Sequence, residues 1–474
     1  MGEIARSPLE LPCGVQLPNR LVKAAMTEGL ADAFSRPGDA LFQLYRTWGQ
    51  GGCGALISGN IQIDRRYMER PGNVAIEPGA AGDQALLDSL KKMAEAGKCE
   101  GSAFIVQLGH AGRQTTYMVN KHPVGPSAVK SQPIGVPMGD PRAMTLGEIR
   151  DAVTRFATAA KVCRDAGFDG VQLHAAHGYL LSSFLAPRAN RRTDEYGGTL
   201  DNRARFLLEA VKEAKQAVSG AGPPFAVGVK LNCSDFLKGG LEHDEAIQVA
   251  RWLEDAGVDF IEVSGGSYEN PSMMLGPEAF KDMTSVRGLG TSTQIREAYF
   301  LHFAKDIKAA VPRTPVMVTG GFRSKQVMEA ALAGGDADMI GLGRPLCGMP
   351  DACKRMLKGE LDVLPRYEGE DLRLPWYLRW LQYVMVGNLL KLGATQAWTY
   401  NSIIRMGQGK APTTQVNLLG ELQAFQKHDE GKAAVLNNLD TVGSHTNPEK
   451  KGVSTLVVVM AAVAIGLAAR KALR

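Results

Sequence analysis

Short apolar runs alternate with amphipathic segments between residues 21 and 350 of the chain. Each run is followed by a segment whose apolar positions recur at helical spacing, as Leu86, Leu90 and Met93 do within residues 84–96. Strands that alternate with helices in this way pair in parallel. Eight units of strand and helix close a (β/α)8 barrel, so the pattern predicts this α/β fold. The predicted strands lie near residues 21, 55, 103, 170, 226, 259, 315 and 338.

One phrase recurs at three junctions between a predicted helix and the next strand. Residues 166–171, 256–261 and 335–340 each contain a glycine, then an aspartate, then the start of an apolar run. Glycine is common just after the last helical turn because it adopts the left-handed conformation without strain. Upstream, Thr145 and Glu148 have the spacing of a capping box, which predicts that a helix begins there.

Polar residues follow the predicted strands at their C-terminal ends. Barrel enzymes build their active sites from these ends, and a barrel without a site has no reason to collect polar side chains there. Each of the eight ends carries a hydrogen-bonding or charged side chain. The ends are Thr27, Gly59 with Asn60, Gln107, His174, Lys230 with Asn232, Ser264 with Gly265, Thr319 to Gly321, and Gly341 to Arg344.

Three hydrogen-bonding rings leave the fourth predicted strand within six positions: His174, His177 and Tyr179. A neutral imidazole can donate a hydrogen bond, and a phenol with a pKa of ~10 carries its proton at neutral pH. Together they could bind a substrate oxygen and deliver a proton. A metal site is the alternative, but no third Cys, His or Glu ligand lies close by in sequence, and catalytic zinc needs three. We therefore expect no metal.

The ends of the seventh and eighth predicted strands have the composition of a phosphate site. In such barrels the loops after these two strands commonly bind phosphate. Gly320, Gly321 and Gly343 allow backbone amides to approach an anion closely, and Arg323 and Arg344 add guanidinium groups. The alternative interpretation is that these glycines only form tight turns.

Composition narrows the class of protein. The 474 residues are 45% hydrophobic and 22% charged, as in an ordinary folded protein. The net charge of +5 is small for this length, and no basic stripe with interleaved aromatic residues occurs, so nucleic acid is not an expected partner. The seven cysteines are scattered singly, which favours a reducing compartment over a disulfide framework.

The pattern changes after the barrel, which we assign to residues 1–360. Residues 361–425 are predicted as a helical extension that packs on the barrel or on a second copy of the chain, with a role at a membrane surface as the alternative. Residues 426–452 are polar and are predicted as a linker. The aromatic residues that mark the extension are Trp376, Tyr377, Trp380, Tyr383, Trp398 and Tyr400.

An uncharged segment of 17 residues follows at positions 453–469. This length is at the short end for crossing a bilayer, and lysine and arginine residues flank the segment. We predict a single tail-anchor helix that attaches the protein to a membrane, with the barrel facing the cytosol. A buried terminal helix is the alternative.

Over residues 10–350 the chain resembles the old yellow enzymes, the FMN-dependent ene-reductases, as a fungal-type member with a hydrophobic tail. Only Cys347 and Cys353 lie after the barrel strands, so the branch with an iron–sulfur cluster is disfavoured. The motifs that carry the resemblance are Pro18-Asn19-Arg20 with Ala25-Met26-Thr27, residues 106–113 (VQLGHAGR), residues 174–179 (HAAHGY) with 194–198 (DEYGG), and the two glycine-rich strand ends.

The resemblance implies roles for individual residues. Tyr179 would be the proton donor, and His174 and His177 would bind the substrate carbonyl. Two positions depart from the family pattern: Ala25 stands where proline is frequent, and Lys230 stands where many members have arginine. The residues implied to bind FMN are Ala25, Met26, Thr27 (near O4), Gly59, Gln107 (at the pyrimidine edge), Lys230 (beside N1 and the C2 carbonyl) and, at the phosphate, Gly320, Gly321, Gly343 and Arg344.

The resemblance also implies a ping-pong reaction. NADH or NADPH would reduce FMN and leave, and an α,β-unsaturated carbonyl compound would then accept a hydride at its β-carbon and a proton at its α-carbon. Two alternatives stay open. One is a quinone or nitro-compound reductase on the same fold, and the other is a membrane-tethered flavin-binding protein without turnover. A homo-oligomer is compatible with either.

Overall fold

The computed structural model describes residues 2–133, 137–269, 299–367, 385–413 and 417–438. Eight strands form the centre of the fold, and each pairs in parallel with the next. The last strand pairs with the first, so the sheet closes. The predicted eight-stranded barrel is therefore confirmed. The strands are β1 Leu21–Lys23, β2 Ala55–Ile57, β3 Ala103–Gly109, β4 Gly170–Ala175, β5 Ala226–Asn232, β6 Phe260–Ser264, β7 Val316–Thr319 and β8 Met339–Leu342.

Helices follow the strands and surround the barrel. They are α1 Asp39–Gly49, α2 Gln84–Gly97, α3 Leu146–Asp165, α4 Leu200–Ala217, α5 His243–Asp255, α6 Tyr299–Ala310, α7 Lys325–Ala333, α8 Ala352–Lys358, α9 Met385–Gly407 and α10 Leu418–Asn438. Shorter helices are Glu3–Arg6, Arg65–Tyr67, Ala80–Gly82, Gly112–Gln114, Leu180–Leu185 and Pro345–Gly348. Short strands are Leu9–Glu10, Gln16–Leu17, Ile61–Gln62, Val124–Gly125 and Arg142–Ala143.

The predicted capping box begins α3. The hydroxyl of Thr145 accepts a hydrogen bond from the Glu148 backbone N–H at 3.2 Å, and the Glu148 carboxylate accepts one from the Thr145 N–H at 2.9 Å. Two amides that the first helical turn would leave unpaired are thus satisfied. After α3, Gly167 adopts the left-handed conformation with φ of 85°.

The repeated aspartate has the same structural role at all three junctions. Each carboxylate accepts a hydrogen bond from a backbone N–H of the preceding strand and pairs with a lysine from the end of the helix before that strand. These contacts fasten successive strands at the end of the barrel where the strands begin. The sets are Asp169 with Phe104 N (2.7 Å) and Lys98 Nζ (2.6 Å), Asp259 with Val227 N (2.7 Å) and Lys215 Nζ (3.1 Å), and Asp338 with Val316 N (2.7 Å) and Lys308 Nζ (2.8 Å).

Two apolar layers hold the barrel. The larger layer lies between the strands and the surrounding helices, where Trp48 and Phe156 are fully buried. The smaller layer fills the barrel interior, where Leu11 and Leu17 from the N-terminal hairpin pack with Phe260. The hairpin therefore closes the end of the barrel at which the strands begin, and the opposite end stays available for a site.

The C-terminal helices α9 and α10 pack on the barrel, as one of the two predicted arrangements requires. Arg70 forms a buried ion pair with Asp429 on α10. The His428 ring contacts the Gly29 carbonyl at 2.9 Å, and the Lys432 ammonium donates to the Ala31 carbonyl at 2.5 Å. Trp376, Tyr377, Trp380 and Tyr383 lie outside the described residues.

The predicted linker is wrong over its first part, because α10 continues to Asn438. Ala433 and Leu436, three positions apart, are buried on one side of the helix, and the polar residues on that side bind the barrel. A segment that is polar overall is thus helical because Ala433 and Leu436 are buried while Asp429 and Lys432 bind the barrel. The predicted anchor at 453–469 lies outside the described residues. Among the helices that are described, none combines the length and hydropathy that a bilayer span requires.

Candidate active site

A cavity of about 290 Å³ opens at the C-terminal ends of the barrel strands. Residues at or just beyond all eight strand ends line it, as the distribution of polar residues predicted. Among the described residues, its wall contains every residue implied to bind FMN or substrate except one: Ala25, Met26, Thr27, Gln107, His174, His177, Tyr179, Lys230, Gly320, Gly321, Gly343 and Arg344.

The exception is Gly59, which lies behind the cavity wall. Its N–H donates to the carboxylate of Glu28 at 2.8 Å and contacts the Tyr45 hydroxyl at 3.1 Å. A Cβ at this position would lie 2.5 Å from the Met26 carbonyl oxygen, so only glycine fits. Gly59 thus supports the end of β1, and its neighbour Asn60 lines the cavity instead.

A buried chain of polar side chains crosses the barrel below the cavity. The Gln107 amide donates to Gln172 at 2.8 Å, and Gln172 donates to Glu262 at 2.7 Å. The Lys230 ammonium pairs with the other oxygen of Glu262 at 2.6 Å. Gln172 and Glu262 were not singled out in the sequence, although both are polar residues inside otherwise apolar strands. Because the members satisfy one another, the chain holds Gln107 and Lys230 in fixed positions at the cavity.

His174, His177 and Tyr179 form one cluster of rings. The His174 ring lies 5.1 Å from that of His177 and 4.8 Å from that of Tyr179, both edge to face. His177 has φ of 62°, the left-handed region that residues other than glycine rarely occupy. This backbone turn follows β4 directly and brings the side chains of His177 and Tyr179 to the same cavity as His174.

The cluster is uncharged at neutral pH. Burial, and then the nearby charge of Lys230, lower the pKa of His174 and of His177 well below the usual histidine value. Burial, the charge of Glu69 and contact with Tyr268 raise the pKa of Tyr179 well above the usual phenol value. The Nδ1 atom of His174 accepts a hydrogen bond from the Ala176 N–H at 3.3 Å, so the single proton of this ring is on Nε2. The cluster of His174, His177 and Tyr179 therefore presents hydrogen-bond donors without a full charge.

Ser264 orients the second histidine. Its hydroxyl contacts Nε2 of His177 at 2.8 Å, and Asn232 accepts from the His177 backbone N–H at 3.3 Å. Asn232 is itself held by Asp235 at 2.8 Å. The ends of β5 and β6 thus fix a side chain that belongs to the end of β4.

Buried histidines also predict how stability depends on pH. Burial lowers the pKa of His110 to about 4, against about 6.5 in an unfolded chain. Between these values the unfolded state binds more protons, so stability falls as the pH falls. We expect the protonation of His110 in the unfolded state alone to lower the free energy of unfolding by about 2 kcal/mol between pH 7 and pH 5. Urea unfolding of the wild type and His110→Asn at both pH values checks this, and an equal pH dependence of the two proteins would contradict it.

The glycine-rich end of the cavity suits a phosphate group. Gly320 and Gly321 have φ of 130° and 83°, which leaves the chain free to turn around a ligand. The hydroxyl of Thr319 is buried and has no hydrogen-bond partner among the described residues. Arg323 and Arg344 line the same end. With Gln107 and Lys230 also on the cavity wall, the residues present fit a ligand that has a polar ring edge and a phosphate, as FMN has.

Comparisons with known proteins agree with this geometry. A sequence model of the NADH:flavin oxidoreductase / NADH oxidase family matches residues 7–362. The NADH-dependent flavin oxidoreductase iliE of Hypocrea jecorina (strain QM6a) is 37% identical over 396 residues, which cover 80% of this chain and 96% of the relative. The iliE protein of Neonectria sp. (strain DH2) is 40% identical over 395 residues, which cover 78% of this chain but only 50% of that longer protein.

A solved structure of morphinone reductase in complex with tetrahydroNAD has a TM-score of 0.60 and 27% identity, and the match covers 77% of this chain and 93% of that one. These matches confirm the resemblance to old yellow enzymes. The chain therefore belongs to the NADH:flavin oxidoreductase / NADH oxidase family and is an oxidoreductase with FMN as its cofactor and a nicotinamide nucleotide as its hydride donor.

Proposed function

We propose that this enzyme reduces the C=C bond of α,β-unsaturated carbonyl compounds in a ping-pong reaction. The cluster of His174, His177 and Tyr179 supports this most directly, because it combines neutral imidazoles with a protonated phenol on one cavity wall. FMN, when bound, supplies the hydride that it has taken from NADH or NADPH.

The chain's own residues provide two functions. Hydrogen bonds from the two imidazoles to the carbonyl oxygen draw electron density from the C=C bond and make its β-carbon electrophilic. His174 donates from Nε2, the position that carries its proton. Tyr179 then gives its proton to the α-carbon, and its raised pKa keeps that proton in place until negative charge develops.

The cofactor would be held by the residues that line the cavity. Gln107 and Lys230 would bind the polar edge of the flavin ring, with Thr27 nearby. Gly320, Gly321, Gly343 and Arg344, which line the cavity, would bind the phosphate. The buried chain from Gln107 to Lys230 keeps the first two side chains in position without any ligand.

The reaction is tested with cyclohex-2-enone under anaerobic conditions. We expect NADH or NADPH to be consumed in equal amount with the appearance of cyclohexanone, measured by gas chromatography. If the enzyme oxidises the nicotinamide nucleotide only when a quinone or a nitroarene is present, the proposal is wrong and the alternative acceptor class is supported.

Replacing Arg344 with alanine is expected to weaken FMN binding by about 10- to 100-fold, because a dianionic phosphate loses a charged hydrogen-bond donor. Flavin fluorescence during titration of FMN-depleted protein measures the affinity. Lys305→Ala is the matched control, since it removes one positive charge from an exposed side chain paired with Asp336. Equal affinities of the two variants would remove Arg344 from the phosphate site.

A further inference from the structure

One wall of the active-site cavity comes from outside the barrel. Thr395, Gln396, Thr399 and Tyr400, all on α9, line the cavity together with the histidines and Tyr179. These residues also lie beyond position 362, where the match to the family model ends. The part of the cavity wall that α9 builds therefore lies outside the region that the family model matches.

The position of this wall is fixed by Arg70. Its guanidinium group pairs with Asp429 on α10 and lies 4.7 Å from the ring centres of both Tyr400 and Phe425. The Tyr400 and Phe425 rings stack at 4.9 Å. Tyr400 therefore cannot swing away from the cavity without losing its stacking on Phe425 and its contact with the Arg70 guanidinium.

The Tyr400 hydroxyl accepts a hydrogen bond from the Gln396 amide at 3.1 Å. Burial and the charge of Glu69 raise the pKa of Tyr400 to about 12. The phenol therefore keeps its proton at neutral pH, with one lone pair already used.

Glu69 lies on the cavity wall with an unused acceptor. Its Oε2 atom is buried and has no hydrogen-bond partner among the described residues. The adjacent Arg70 does not supply one, since its Nη2 donates to Asp429 and its Nε and Nη1 have no partner among the described residues. A buried carboxylate oxygen without a donor is costly, so its presence in a cavity indicates a donor that arrives with a ligand.

Three tyrosines, Tyr179, Tyr268 and Tyr400, line the same cavity as this carboxylate. The charge of Glu69 raises the pKa of Tyr179, Tyr268 and Tyr400, after the larger effect of burial. The Tyr179 and Tyr268 rings lie 5.7 Å apart, edge to face. Glu69 thus shares the cavity with the proton donor Tyr179, with the two histidines and with the α9 wall.

We propose that Glu69, with Tyr268 and Tyr400, binds a hydrogen-bond donor on the substrate that is remote from its reducible bond, and binds a protonated amine more tightly than a hydroxyl. A carboxylate only accepts hydrogen bonds, its bonds to cationic donors are the strongest, and tyrosine faces attract cations. This inference rests on the proposed function, because the subsite is defined relative to the histidines that are proposed to bind the substrate carbonyl.

The test compares saturated ketones that bind without being reduced. The probes are 4-[2-(dimethylamino)ethyl]cyclohexanone, its carbon isostere 4-(3-methylbutyl)cyclohexanone, and 4-(2-hydroxyethyl)cyclohexanone. Calorimetry of the FMN-bound enzyme at pH 7 is expected to show about 10- to 100-fold tighter binding of the ammonium probe than of its isostere, with the hydroxyl probe between them. A ratio near one in the wild type would overturn the proposal.

The variant Glu69→Gln keeps the size of the side chain and removes its charge. We expect it to bring the ratio of ammonium to isostere affinity close to one, while the affinity for the isostere stays the same. Glu77→Gln is the matched control, since this carboxylate lies in the same segment and pairs with Arg65 outside the cavity. If Glu69→Gln still bound the ammonium probe more tightly than its isostere by the wild-type ratio, other residues would cause the preference and the proposal would be overturned.

Failure of the proposed function has a different signature. Because the probes are already saturated, their affinities do not depend on turnover. An enzyme that shows the Glu69-dependent preference but does not reduce cyclohex-2-enone retains the subsite and loses the ene-reductase function. An enzyme that reduces cyclohex-2-enone but shows no preference for the ammonium probe has the ene-reductase function and lacks the subsite.

Discussion

Replacing Tyr179 with phenylalanine is expected to lower the rate of enone reduction by ~10²–10⁴, the usual contribution of a positioned general acid. The phenol is buried beside His174 and Tyr268, and its raised pKa keeps it protonated. Hydride transfer from NADH needs no proton from this residue. The first half-reaction should therefore proceed at nearly the wild-type rate in the variant.

Stopped-flow absorbance measures the two half-reactions separately. Tyr67→Phe is the matched control, because it removes a buried phenol that lies outside the cavity and should leave both half-reactions near the wild-type rate. A quinone should still reoxidise the Tyr179→Phe enzyme, since a reduced quinone can take its protons from water. If Tyr179→Phe slowed both half-reactions equally, or neither, the proton donor would have to be another group.

Replacing Lys230 with methionine is expected to lower the free energy of unfolding by about 3–5 kcal/mol, the usual cost of removing one partner of a buried ion pair. Glu262 is completely buried, and among the described residues only Gln172 would remain to bind its carboxylate after the substitution. Urea unfolding at saturating FMN measures the change. FMN affinity is measured separately, because a bound ligand adds to the apparent stability.

A second substitution separates charge from packing. In Lys230→Met/Glu262→Gln the buried carboxylate is replaced by an amide that can still bind Gln172, so this double variant should be more stable than Lys230→Met alone. Equal or greater destabilisation in the double variant would show that the loss comes from packing around the Lys230 chain and not from an unpaired charge.

The barrel could be predicted because its signals are local. Apolar runs of strand length, helix-ending glycines and the capping box at Thr145 depend on neighbours in sequence, and the structure has a strand at each predicted place. The recurring aspartate was also visible. Its partners were not, because Asp169 binds the backbone of Phe104, 65 positions away.

The sequence also predicted most of the residues that line the cavity. A parallel barrel brings the ends of its strands to one edge, so residues such as His174, Lys230 and Arg344 had to meet there once eight strands closed. Gly59 shows the limit of this reasoning. The local path of the backbone decides whether a residue at a strand end faces the cavity or packs behind its wall. Here Asn60 faces the cavity, and Gly59 packs behind the wall.

Only the tertiary structure decided what lies around those residues. The pairing of Gln172 with Glu262, and the contact of Ser264 with His177, depend on the register between strands, which no single segment encodes. The same holds for α9 and α10. Their weak local pattern suggested an extension and a linker, but Arg70, Asp429 and Tyr400 acquire their roles only when distant parts of the chain bury one another's charges and rings.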